Sequence, residues 1–147
     1  MKQSNTTGVI IRSSMVLFSR VMLKTFNSCA KKISFQSSSV VPAAQGSVKL
    51  TRDNNDNYGI KIYLANLAEP DKLQTSKSSY VVWMETAENV TKNIGQNNTS
   101  TGFMSSKLTA SFETVSPVKP TKIFITAEDD PGVQYPGMHI VLTTNSF

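Results

Sequence analysis

From residue 47 onward the chain breaks into short runs that never sustain a helical period, and this limits its fold more than any other feature. Ser47-Val48-Lys49-Leu50-Thr51 alternates polar and apolar residues. Asp53-Asn54-Asn55-Asp56-Asn57 follows as a turn, because Asn and Asp tolerate left-handed backbone geometry. Tyr58 to Leu64 alternates again, with Tyr58, Ile60, Ile62 and Leu64 on one face and Lys61 and Tyr63 on the other. Gly59 in this run reads as a bulge. Beyond a longer connection, Asn66 to Ser79, the run Tyr80-Val81-Val82-Trp83-Met84-Glu85 is the most apolar of the domain. A continuous apolar run between turn residues predicts a central strand covered on both faces. Val90 to Ile94 reads as a short strand, Gly95 to Gly102 as a turn-rich loop, and Phe103 to Phe112 as a weakly alternating strand. Thr121 to Ala127 is a second core strand, Asp129–Gly132 and Tyr135–Gly137 are turns, and Ile140 to Thr143 closes the chain. Seven or so short strands with regular turns predict an all-β fold, an antiparallel β-sandwich. In that register Trp83, Val81, Ile123 and Ile125 belong between the two sheets, with Ile60 or Ile62.

Charge divides the chain in two. Six of its 15 basic residues (Lys2, Arg12, Arg20, Lys24, Lys31 and Lys32) fall in the first 32 positions, and the first acid is Asp53. Residues 33–147 carry the other nine basic residues against ten acidic ones. The formal charge of +5 therefore belongs to the leader, and no nucleic-acid partner is expected, since such a binder needs its basic patch on the folded domain. A single cysteine, Cys29, excludes an internal disulfide framework.

Cys29 stands at the seam between the two parts. The acid-free segment before it has a basic start, apolar clusters over 9–26 and a small residue, Ser28, next to the cysteine. These are parts of a secretory signal. Arg20 and Lys24 interrupt the apolar run, which is too short and too charged to span a membrane, where about 20 apolar residues are needed. Two other readings of the leader stay open. Arg12, Arg20 and Lys24 fall at multiples of four and would form the basic stripe of a helix lying on a membrane surface. An Arg- and Ser-containing, acid-free leader also fits an organelle transit peptide. Met15 and Met22 are alternative starts.

Ser28-Cys29-Ala30-Lys31-Lys32 resembles the cleavage region of lipoproteins from Bacteroidetes-type bacteria, in which a small residue precedes the lipidated cysteine and polar residues follow it. The resemblance implies acylation of Cys29, a membrane lipid as the first partner, and a place at the bacterial cell envelope on the periplasmic or outer-surface side. The expected division is then a leader over 1–28, a lipid-attachment site and Ser-rich tether or loose first strand over 29–46, and a sandwich over 47–147. A second resemblance covers about residues 78–144. Tyr80-Val81-Val82-Trp83-Met84, Asn93-Ile94-Gly95, Gly102-Phe103, Ile123-Phe124-Ile125-Thr126-Ala127-Glu128 with Pro131, and Pro136-Gly137 leading into Val141-Leu142 occur in that order. This is similar to the extracytoplasmic C-terminal domain of anti-sigma-K-type factors. It implies an immunoglobulin-like sandwich outside the cytoplasm, and it does not extend to a sigma-binding helical domain.

No catalytic constellation is visible. His139, the only histidine, has no repeated ligand type nearby for a metal and no companions for a nucleophile. Asp53 to Gly59 departs from a calcium loop at the positions that need Gly and Glu, where Tyr58 and Leu64 stand. Glu128-Asp129-Asp130 reads as a solvated acidic loop, Trp83 as core packing, and Tyr58, Tyr63, Tyr80 and Tyr135 are too dispersed to define a sugar-binding face. Asn89, Asn97 and Asn98 begin Asn-x-Ser/Thr sequences, which act as acceptors only in a eukaryotic secretory pathway. No cofactor is expected. The function expected is a non-catalytic, lipid-anchored binding or structural module with an envelope protein or a glycan as ligand; the alternative is a regulatory sensor related to the anti-sigma ectodomains.

Overall fold

The structure is a computed structural model and describes residues 30–97 and 109–147. Eight strands occur among them: β1 (Lys31–Ser34), β2 (Gln45–Arg52), β3 (Tyr58–Ala65), β4 (Ser79–Thr86), β5 (Thr91–Asn97), β6 (Ala110–Ser116), β7 (Pro120–Glu128) and β8 (Ile140–Thr143). One sheet has the order β1-β2-β3-β6 and the other β5-β4-β7-β8, with every pairing antiparallel. The chain crosses between sheets after β3, β5 and β6, so strands adjacent in sequence fall in different layers. That Greek-key crossing makes this an immunoglobulin-like antiparallel β-sandwich. Cys29, the leader and residues 98–108 lie outside the described residues. No helix among the described residues is long and apolar enough to cross a membrane.

The eighth strand comes from the segment expected to be a tether or a loose first strand. β1 pairs with the middle of β2, Lys31 opposite Leu50 and Ser34 opposite Ser47. Phe35 then bridges to Thr144 at the edge of the second sheet, which ties the two layers together. Val41 and Ala44 are buried in the core, and Ser38 Oγ accepts the Val41 N–H at 2.9 Å. The boundary expected at residue 47 thus falls inside the fold. A Ser-rich composition suggests a linker, but the apolar residues Ile33, Phe35, Val41 and Ala44 suffice to dock it.

Alternation places the core. Val48 and Leu50 of β2 and Ile60, Ile62 and Leu64 of β3 meet Tyr80, Val82 and Met84 of β4 and Ile123 and Ile125 of β7. Ile60 and Ile62 are both in this core, and Tyr58 is half-buried at the end of their row. β4 is covered on both faces, as its apolar run predicts. Trp83 and Val81 are fully buried, but not between the sheets. They point to the outer face of the second sheet and pack there with Phe124 and Val133. Both parity sets of β4 are apolar, so period alone could not say which face each set takes. Gly59 is also not a bulge: it stays in register opposite Thr51, where a Cβ would meet the Thr51 hydroxyl at 2.6 Å. Register shifts occur instead in the second sheet, one of them in β5, where Val82 pairs with Gly95 and Trp83 with Asn93. Gly95 has φ of +143°, and a Cβ there would strike the Phe112 ring at 2.6 Å. Glycine fits on both counts.

Tyr80 gives the core a pH signature. Its ring is fully buried and its hydroxyl donates to the Ala68 carbonyl at 2.8 Å. Desolvation pushes the phenol from its ordinary 10.0 up to about 12. The unfolded phenol ionises first as pH rises, so the unfolded state loses its proton while the folded state keeps it. Stability contributed by Tyr80 is therefore complete below pH 10 and falls between about 10 and 12. Alkaline denaturation should show this loss, and Tyr80→Phe should flatten that limb. An unchanged alkaline limb in the variant would refute the assignment.

Candidate functional site

The residues singled out in the sequence take separate structural roles. In the Asp53–Asn57 turn, Asp53 Oδ1 accepts the N–H groups of Asn55 and Asn57 at 2.8 and 2.9 Å, and Asp53 Oδ2 accepts Asn57 Nδ2 at 3.1 Å. The hydrogen bonds from Asn57 hold the Asp53 carboxyl below its ordinary value. Asp56 sits at φ of 63° and pairs with Arg52 at 2.9 Å. These oxygens are occupied in shaping a hairpin turn. Asn89 likewise takes a positive φ, 58°, in the β4–β5 turn. Among the described residues no group of three or more His, Cys, Asp or Glu is arranged to hold a metal.

Glu128-Asp129-Asp130 is divided as well. Asp129 pairs with Lys77 at 2.8 Å, and Asp130 Oδ1 accepts the Gly132 N–H at 2.8 Å. Glu128 is buried at the end of a chain of hydrogen bonds. Trp83 Nε1 donates to Thr126 Oγ1 at 2.8 Å, Thr126 Oγ1 donates to Glu128 Oε1 at 2.6 Å, and the Gly137 N–H donates to the same oxygen at 2.7 Å. A Cβ on Gly137 would meet Glu128 Oε2 at 2.7 Å, so glycine permits the close approach. Asn93 Nδ2 donates to the carbonyls of Pro131 and Val133, both at 3.1 Å. Together these bonds hold the β7–β8 connection, residues 129–139, flat over Trp83. A buried carboxylate satisfied in this way rigidifies its surroundings.

The strands also polarise the sandwich. β1 starts at Lys31 beside Leu50, near the end that carries the tight turns after β2 and β4. The long connections 35–44, 66–78 and 129–139 gather at the other end. They meet around a hollow of about 220 Å³ lined by Ser39, Val40, Leu73, Gln74, Thr75 and His139. Among the described residues that line it, none is a carboxylate placed to orient the imidazole of His139. Its volume is below the roughly 300 Å³ at which small-molecule pockets begin; it fits a single side chain. Beside it the pinned loop holds out Tyr135 and Met138, 85% and 96% exposed, and Ile140 and Val40 are exposed as well.

The outer face of the first sheet has a different character. Lys32 lies opposite Lys49, Lys49 opposite Lys61, and Lys61 opposite Glu113, in one row across four strands. The next row is Ser34, Ser47, Tyr63 and Ser111. Lys61 pairs with Glu113 at 2.8 Å, and that hydrogen bond raises the lysine above its ordinary value. The four tyrosines do not converge: Tyr80 is in the core, Tyr58 at its edge, Tyr63 on this outer face and Tyr135 on the loop end. Sequence reasoning missed both the hollow and the lysine row, because each exists only through strand register and loop convergence. Compared with protein-family models, curated proteins and solved structures, the chain matches none.

Proposed function

We propose that the protein is a non-catalytic module of a bacterial cell envelope, held to a membrane by acyl chains on Cys29, that binds a protein partner at the loop end of its sandwich. The observation that carries this reading is the polarity of the fold. The chain enters β1 two residues after Cys29, near the turn end, and the long loops gather at the opposite end. A sandwich anchored at Cys29 presents those loops away from the lipid. The β7–β8 loop is fixed by its bonds to Asn93 and Glu128, so Tyr135 and Met138 are ordered before any partner arrives. Such preorganisation lowers the entropic cost of binding. Exposed Tyr and Met are also the side chains most often used in such contacts.

A single acyl chain gives marginal membrane binding, and each buried methylene adds about 0.8 kcal/mol, so several chains on one cysteine anchor stably. Cys29→Ser should move the protein into the soluble fraction on membrane fractionation, with an unchanged melting temperature. Mass analysis of the membrane-bound parent should give an N-terminus at an acylated Cys29. A serine variant that stays on the membrane as firmly as the parent would replace the lipid anchor with the amphipathic-helix reading of the leader.

The second reading, a regulatory sensor related to anti-sigma ectodomains, is favoured by one observation. Trp83, Thr126, Glu128 and Gly137, all within the runs that carry that resemblance, converge in one hydrogen-bonded network. A sigma-factor gene beside the coding gene would support this reading, and its absence would count against it.

A further inference from the structure

Two lysines on the outer face of the first sheet, Lys32 and Lys49, make no ion pair that holds the fold among the described residues. Like charges directly opposite on neighbouring strands destabilise a sheet, yet Lys32 faces Lys49 and Lys49 faces Lys61. Only Lys61 is neutralised, by Glu113. Among the described residues neither Lys32 nor Lys49 makes an ion pair. The two lysines border an open depression of about 510 Å³ lined by Ala30, Lys32, Ser47, Lys49 and Tyr63. A second depression of about 310 Å³, to which Ser34 and Gln45 contribute, adjoins it and shares Lys32, Ser47 and Tyr63. Both volumes lie within the range of ligand sites, roughly 300–1,000 Å³.

We propose that this groove binds an acidic polysaccharide, a chain of sugars carrying carboxylate or sulfate groups. Three features of the groove select that ligand. Charge complementarity comes from Lys32 and Lys49, whose ammonium groups make no ion pair among the described residues. Tyr63, 46% exposed, offers a ring face for the C–H face of a sugar, and Ser34, Ser47 and Gln45 offer hydroxyl and amide groups for sugar hydroxyls. Spacing supplies the third: neighbouring strands lie about 4.8 Å apart, close to the rise of one pyranose unit, so a chain laid across the strands advances about one sugar per strand. The strand-by-strand spacing suits an extended chain of sugars and has no counterpart on the surface of an anionic bilayer. The groove lies on the outer face of the first sheet, shares no lining residue with the hollow around His139, and does not depend on the proposal made for the loop end.

The test uses the full chain with Cys29→Ser, titrated with polygalacturonate by calorimetry, with neutral dextran as the control glycan. Binding to polygalacturonate, weakened by salt, and none to dextran are expected. Lys32→Gln/Lys49→Gln should weaken binding about fivefold, taking a few tenths to one kcal/mol per exposed charge contact. Lys92→Gln/Lys119→Gln, which removes the same charge from exposed positions away from the groove, should leave it unchanged. Tyr63→Ser should weaken binding at constant charge. The melting temperature of the Lys32/Lys49 variant should hold or rise, since a repulsive pair is removed. Equal losses in the two lysine pairs would overturn the proposal, because only net charge would then matter. A Lys32/Lys49 variant that keeps polygalacturonate binding but loses binding to vesicles with one part in three anionic phospholipid would overturn it in favour of a bilayer.

Discussion

Trp83→Ala should cost about 3–5 kcal/mol, the range for truncating a large buried aromatic. For a domain of this size the melting temperature should fall by about 10–20 °C. The cost arises outside the main core. Trp83 is fully buried on the outer face of the second sheet, its ring stacked on Phe124 with centroids 6.3 Å apart and planes 13° apart. The lid over it is the 129–139 connection, which contributes Val133. Removing the indole leaves a cavity under a loop and takes from Thr126 Oγ1 its donor, while the Thr126–Glu128–Gly137 bonds remain. Trp83→Phe keeps most of the volume and loses only the N–H, so about 1–2 kcal/mol is expected. Chemical denaturation of both variants checks this. A loss below about 1 kcal/mol for Trp83→Ala would mean that the loop does not seal the outer face.

Cutting the chain before residue 47 should have a comparable or larger effect. Residues 47–147 retain β2 from Ser47 and every later strand but lose β1, and with it Ile33, Phe35, Val41 and Ala44 from the core. Each apolar side chain fully buried is worth about 1.5–3 kcal/mol. With Ile33 and Phe35 only partly buried, the loss comes to about 5 kcal/mol, the lower end of what a whole domain has. The cut also bares the long edge of β2, which invites pairing with another copy. Residues 30–147 should give a cooperative thermal transition, and residues 47–147 should give none or should aggregate. Equal melting temperatures for the two would show that 30–46 is a tether after all.

These two experiments fall where the sequence is least readable. The position of β3 follows from alternation, and those of β4, β7 and β8 from apolar runs set between Asn, Asp, Pro and Gly clusters. Local turn chemistry acts over a few residues and leaves its mark in composition, as Asp53 does by capping Asn55 and Asn57. β1 leaves almost none. It is four residues long, and two of them are lysines. The Ser-rich segment behind it docks through isolated apolar residues that no period links.

The pattern along the chain is enough for an all-β fold, a β4 covered on both faces, a second core strand at β7, and a charge balance that sets the leader apart from the domain. These properties depend on neighbours along the chain, which the pattern records directly. It takes the packed sandwich to turn Trp83 outward under a loop, to bridge the two sheets through Phe35, and to stand Lys32, Lys49 and Lys61 side by side. Face, layer and cross-strand neighbour are relations between residues distant in sequence. They are settled by register and by which crossing the chain takes, and a one-residue slip in register would turn every one of these side chains to the other face.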